Sequence, residues 1–144
     1  MPANTNPIYT IIPKNTWGKV TAADAGTDGT GANVVLVYTS GADAGFLQRL
    51  IIQPISTSGS TTTSAAAIRF YMNNGSAVGT AANNILFQEL SLAATAVNVS
   101  ATAGVIGYQV PFLFQLQSGY AIYCGVTAMA ANTQWNIMAV CGNY

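Results

Sequence analysis

At 144 residues, 51% of them hydrophobic and only 6% charged, the chain is long enough for one buried core and too apolar to be disordered. Four cations (Lys14, Lys19, Arg49, Arg69) balance four anions (Asp24, Asp28, Asp43, Glu89), and there is no His, so the net charge is zero. Four scattered cations supply neither a phosphate-tracking surface nor attraction to anionic lipid, which argues against nucleic-acid and membrane partners.

The N-terminal stretch Met1–Lys14 carries Pro2, Pro7 and Pro13. It reads as an extended arm whose prolines lower the entropy lost on docking. Residues 1–16 are assigned to that arm and 17–144 to a single folded domain. The first residues have no basic n-region and no apolar h-region, so the sequence predicts no signal peptide and folding in a cytoplasm. The longest apolar runs, such as Val34–Tyr38, fall far short of the roughly 20 residues a membrane helix needs.

Along the chain, strands are predicted over Tyr9–Ile12, Asn33–Thr39, Phe46–Ile55, Ala65–Asn73, Asn84–Leu92, Tyr108–Leu116, Tyr120–Thr127 and Gln134–Val140. Each is short, rich in β-branched or aromatic residues, and bounded by Gly, Ser, Thr or Asn. The turns between them include Gly26–Gly31, Ser56–Thr61 and Asn73–Gly75, where Gly and Asn accept positive φ and Ser and Thr bond their own backbone. Ser56–Ser64 reads as a flexible loop. Leu92–Ala103 is Ala-rich, but its β-branched residues and missing amphipathic stripe make it a loop or an irregular edge strand.

Alternation assigns Ile68, Phe70 and Met72 to one face and Arg69 and Tyr71 to the other. It likewise sets Leu86, Gln88 and Leu90 against Ile85, Phe87 and Glu89, so this strand is apolar on both faces at its start. Pro111 is expected at an edge or a bulge, because proline cannot donate to a ladder, and Pro54 is similarly placed. If the last two strands pair as a hairpin around Ala128–Thr133, Cys124 falls roughly opposite Ile137 rather than Cys141, and the cysteines are read as free thiols. The fold class is therefore all-β: a single-domain antiparallel β-sandwich, jelly-roll-like, of about eight strands.

Catalytic chemistry has few parts to work with. Without His, a hydrolase triad lacks its ordinary base and a transition-metal site its commonest ligand. Asp24, Asp28 and Asp43 lie in turn-rich segments, where an Asx-turn explains them. Asp24–Gly31 could offer oxygen ligands to Ca²⁺, but an EF-hand loop needs more ligands at alternate positions and a closing Glu. Gly29–Gly31 lacks the Lys and the following helix of a phosphate loop. No catalytic residue, cofactor or metal is assigned.

Arg49, Arg69 and Glu89 fall in predicted strands. Either an Arg–Glu pair forms within a sheet or across a subunit interface, or all three point to solvent. Trp17 and Trp135, with Tyr120, Tyr123 and Tyr144, could form a sugar-binding platform, or serve as core or interface anchors. The candidate interface residues are Pro7, Tyr9 and Ile11 in the arm, then Trp17, Arg49, Arg69, Glu89, Trp135 and Tyr144.

Several segments resemble a family of small virion proteins of tailed bacteriophages. They are Trp17–Ala23 running into Asp28–Gly31, Ile68–Gly75 with its Arg-containing strand and turn, and the C-terminal Gly119–Thr127 and Gln134–Tyr144. Where that family often has a His in the last hairpin loop and an Asp near the end, this chain has Ala130–Asn132 and Asn143. The resemblance implies a β-rich virion component with no catalytic role. The expectation is a capsid decoration, or cement, protein: a homotrimer on the capsid exterior, with the major capsid protein as partner. A tail, neck or fibre component and a carbohydrate-binding module are the alternatives.

Overall fold

The computed structural model describes residues 12–100 and 107–144. Ten strands run in chain order: β1 (Ile12–Val20), β2 (Val35–Thr39), β3 (Gly45–Ser56), β4 (Ser60–Thr62), β5 (Ala66–Asn73), β6 (Asn84–Leu92), β7 (Ala96–Asn98), β8 (Tyr108–Leu116), β9 (Ala121–Val126) and β10 (Thr133–Asn143). A 3₁₀ turn, Ala81–Asn83, precedes β6. The front sheet has the order β1-β10-β3-β8 and the back sheet β2-β9-β5-β6, while β4 and β7 form a small ribbon. All pairings are antiparallel. The all-β sandwich expected from the sequence is the fold observed.

The inward positions of both sheets form one core. Val20, Leu47, Leu50, Ile52, Trp135, Ile137 and Ala139 come from the front sheet, and Val37, Ile68, Phe70, Ile122, Cys124 and Val126 from the back. At one side the sheets are tied by Thr16 Oγ1 donating to the Val37 carbonyl at 2.6 Å. At the other side, between β6 and β8, an aromatic cluster fills the gap: Phe87 lies 5.4 Å from Phe112 and 5.7 Å from Phe114, both edge-on. Edge-to-face rings place the positive rim of one against the negative face of the next, beyond the area they bury.

Several expectations are corrected. β9 and β10 do not form a hairpin; β9 pairs with β2 and β5, and β10 with β1 and β3. The connection between them therefore crosses from one sheet to the other. The loop expected over Ser56–Ser64 contains β4, whose partner β7 lies in the Leu92–Ala103 segment. β1 begins by Ile12 and runs unbroken through Trp17, so the boundary drawn between residues 16 and 17 falls inside a strand. The rest of the Tyr9–Ile12 strand and the arm lies outside the described residues.

Strict alternation also fails in β6. The register against β5 slips between Phe70 and Tyr71, so Phe87 is an extra residue and both Phe87 and Leu90 reach the core. Pro111, as expected, stands on an edge strand beside a register shift, where β3 steps from Leu47 to Arg49 while β8 passes from Phe114 to Pro111. Leu113 in that bulge has φ +54°. Pro54 lies past the end of the β8 ladder, with Trp135 of β10 as its pairing partner.

Residues 21–34 fold over the outer surface of the back sheet. Arg69 Nη1 donates to the Ala25 and Gly26 carbonyls at 2.7 and 3.0 Å, and the Tyr71 hydroxyl donates to Gly26 O at 2.7 Å. The loop is shaped by its own aspartates: Asp24 Oδ1 accepts from Gly26 N, and Asp28 Oδ1 from Thr30 N and Thr30 Oγ1. These are the Asx-turns that the sequence favoured over an ion site.

Candidate functional site

The outer face of the front sheet is the least expected surface of the molecule. Residues facing out from adjacent strands stand in rows set by the register. One row is Trp17–Met138–Ile51–Gln109 across β1, β10, β3 and β8. A second is Lys19–Asn136–Gln53, and a third Asn15–Val140–Arg49–Pro111. The outer face of an antiparallel sheet normally carries polar residues against water. Here the central row is apolar across β1, β10 and β3, and Trp17 is 69% exposed. Trp17, Ile51 and Met138 line a shallow groove of about 240 Å³ with Lys19, Gln53 and Asn136 at its margin.

The groove follows from local sequence. Gly18, next to Trp17, packs so close to Leu36 O and Val35 that a Cβ there would sit 2.8 Å from either. β1 is thus held tight against β2 with Gly18 and Val20 inward and buried, and parity turns Trp17 and Lys19 outward. In β10 the same parity buries Trp135, Ile137 and Ala139 and turns out Gln134, Asn136 and Met138. An exposed tryptophan on a flat sheet exposes a large apolar area that association with another surface would remove from water.

The expected site residues separate. Trp17 stands on this face. Trp135 is fully buried and packs 6.4 Å from Tyr108 in the core, so it is a core anchor and not an interface residue. The shared sugar platform is corrected with it: Trp17 is on the front sheet, while Tyr123 pairs with Leu36 and Tyr71 on the back sheet. Tyr144 is half-buried at the end of the sandwich, where its hydroxyl oxygen accepts from Gln115 Nε2 at 3.1 Å. Pro7, Tyr9 and Ile11 lie outside the described residues.

The charged residues divide in the same way. Arg69 and Glu89 sit directly opposite on β5 and β6 and pair at 2.7 Å, as an in-sheet Arg–Glu contact should. With its Nη1 on the 21–34 loop, Arg69 has a structural task. Arg49 is separate: it is half-buried on the front face, and its Nε is buried with no hydrogen-bond partner among the described residues. The sequence gives no sign of this orphan donor, because the bulge beside Arg49 that sets its surroundings is a tertiary feature.

Both cysteines are free and buried. Burial pushes the Cys124 thiol up to about 12, and it also raises Cys141, against Thr16 and Lys14, which lower it. Neither is a poised nucleophile, since the thiolate is the reactive form. Among the described residues no three His, Cys, Asp or Glu side chains gather as a metal site would require. Comparison of the chain with protein-family models and with curated proteins finds no match.

Proposed function

We propose that the protein is a structural component of a tailed-phage virion, a decoration protein that binds the outside of the head over joints between major capsid proteins. The observation that carries this reading is the apolar outer face of the front sheet, with Trp17 exposed at 69% on a charge-poor scaffold. A surface that docks repeatedly on a shell gains from burying apolar area and from the scarcity of ions, whose desolvation opposes association. Many identical contacts then sum over the lattice, raising the barrier to rupture under packaged DNA.

The topology fits a virion role as well. Apart from the β4–β7 ribbon, eight strands form two four-stranded sheets, and successive strands change sheet at every step except β5 to β6. We include in this reading the assignment of that order as a jelly roll, an architecture common in capsid proteins. A homotrimer is part of the same reading.

The test is the copy number of the chain in purified virions, relative to the major capsid protein, by quantitative mass spectrometry. Copies comparable to the capsid protein are expected. A handful per particle would move the protein to the tail or neck, and its absence would sink the virion reading and send the Trp17 face to a glycan array.

A further inference from the structure

Two of the four cations share one face without an anion among the described residues, while the back-sheet cation Arg69 has Glu89. Lys19 and Arg49 stand on the outer face of the front sheet, while Glu89 belongs to the back sheet and Asp24 and Asp28 to the loop that covers it. Among the described residues the only salt bridge is Arg69–Glu89, so neither front-face cation has a carboxylate. Arg49 occupies the row next to Trp17–Met138–Ile51, and its Nε is already out of water without an acceptor. Laying any surface over the groove removes more water from this guanidinium. That step is unfavourable unless the incoming surface brings an acceptor, and a planar guanidinium is matched best by a carboxylate.

We propose that the front face docks on a partner protein surface that seats an apolar side chain in the Trp17–Ile51–Met138 groove and delivers a carboxylate to Arg49, with Lys19 at the rim. A second copy presenting the same face is the wrong occupant, because it sets Lys19 and Arg49 against their own like charges. The partner's identity rests on the decoration reading, in which it is the major capsid protein. The face itself is assigned from exposure and charge.

The experiment titrates purified protein onto heads that lack it and measures co-sedimentation at low and high salt. Trp17→Ala is expected to weaken binding by about tenfold or more, as loss of a central aromatic anchor does. Arg49→Gln weakens it as well and Arg49→Glu more strongly, and salt weakens the wild type more than Arg49→Gln. Ile85→Ala, an exposed apolar residue of the back sheet, binds as wild type does. Thermal melts check folding, and because Trp17 is exposed its variant carries the test even if the Arg49 variants unfold. Wild-type binding matched by Trp17→Ala and Arg49→Glu overturns the face while leaving the decoration reading intact. Wild-type protein that fails to bind heads overturns that reading and the partner together. A wild-type oligomer that Trp17→Ala dissociates would assign the face to contacts between copies and overturn the proposal.

Discussion

Tyr38 shows how much of this fold hangs on single polar atoms. Its hydroxyl is buried beside the C-terminal strand, 3.0 Å from the Gly142 carbonyl and 2.9 Å from Asn143 Oδ1. Gly45 leaves the space that oxygen occupies, since any Cβ there would collide with it. One phenolic proton serves two acceptors, so removing it strands buried groups. Tyr38→Phe is expected to lower stability by about 1–3 kcal/mol, read from the midpoint of urea unfolding; an unchanged midpoint would show that water replaces the hydroxyl. The two tryptophans make a second case. Acrylamide should quench the wild-type protein and Trp135→Phe, but hardly touch the emission of Trp17→Phe, in which only the fully buried Trp135 remains. Their difference was partly legible: Trp135, Ile137 and Ala139 alternate with Gln134, Asn136 and Met138, a pattern that buries Trp135. Around Trp17 no such pattern exists, because its strand mixes Pro, Lys, Asn and Gly. Its exposure is decided by Gly18 approaching β2.

At the scale of elements, the strands rich in β-branched and aromatic residues were legible in composition, while β4 and most of β1, built of Ser, Thr, Lys, Asn and Gly, were not. Val, Ile, Thr and aromatic runs placed β6 and β8 to the residue and β3 to within one. The bulges at Phe87 and beside Arg49 escaped because each depends on what the neighbouring strand offers, not on the strand's own sequence. The Asp24–Gly31 loop was legible as turns, but not as a cover for the back sheet. That cover depends on Gly29, which has φ +73° and whose Cβ, if it had one, would meet the Tyr71 ring at 2.9 Å and Asn84 at 3.3 Å. Gly29→Ala must therefore either strain the left-handed turn or lift the loop off Tyr71. The expected cost is at least about 1 kcal/mol, accompanied by faster amide exchange over Gly26–Gly31. Unaltered exchange there would mean the loop reaches its place without the glycine.

Across the whole molecule, the sheet each strand joins was beyond sequence reading. β9 and β10 are consecutive with a short connection, and local pairing is the ordinary outcome, yet they lie in opposite sheets and share only the core between them. Both strands alternate compatibly with either arrangement, so only the sum of long-range packing decides. That packing leaves Cys124 and Tyr38 in the interior, and it gives the protein a pH limit on one side. Burial pushes the Cys124 thiol and the Tyr38 hydroxyl up to about 12, against ordinary values of 9.0 and 10.0. Cys141 and Tyr71 are raised too, again chiefly by burial. Above pH 9 the unfolded chain loses these protons while the folded chain keeps them, so the unfolded state binds fewer and stability falls as pH rises. Each group contributes a slope of at most about 1.4 kcal/mol per pH unit. With no His in the chain, stability should change little between pH 6 and 8, then decline from about pH 9 and more steeply above 10. Denaturant midpoints across that range measure it. Cys124→Ala should flatten the onset between pH 9 and 10, and Tyr38→Phe the part above 10. A decline identical in both variants would mean that alkaline unfolding is driven elsewhere, by groups outside this core.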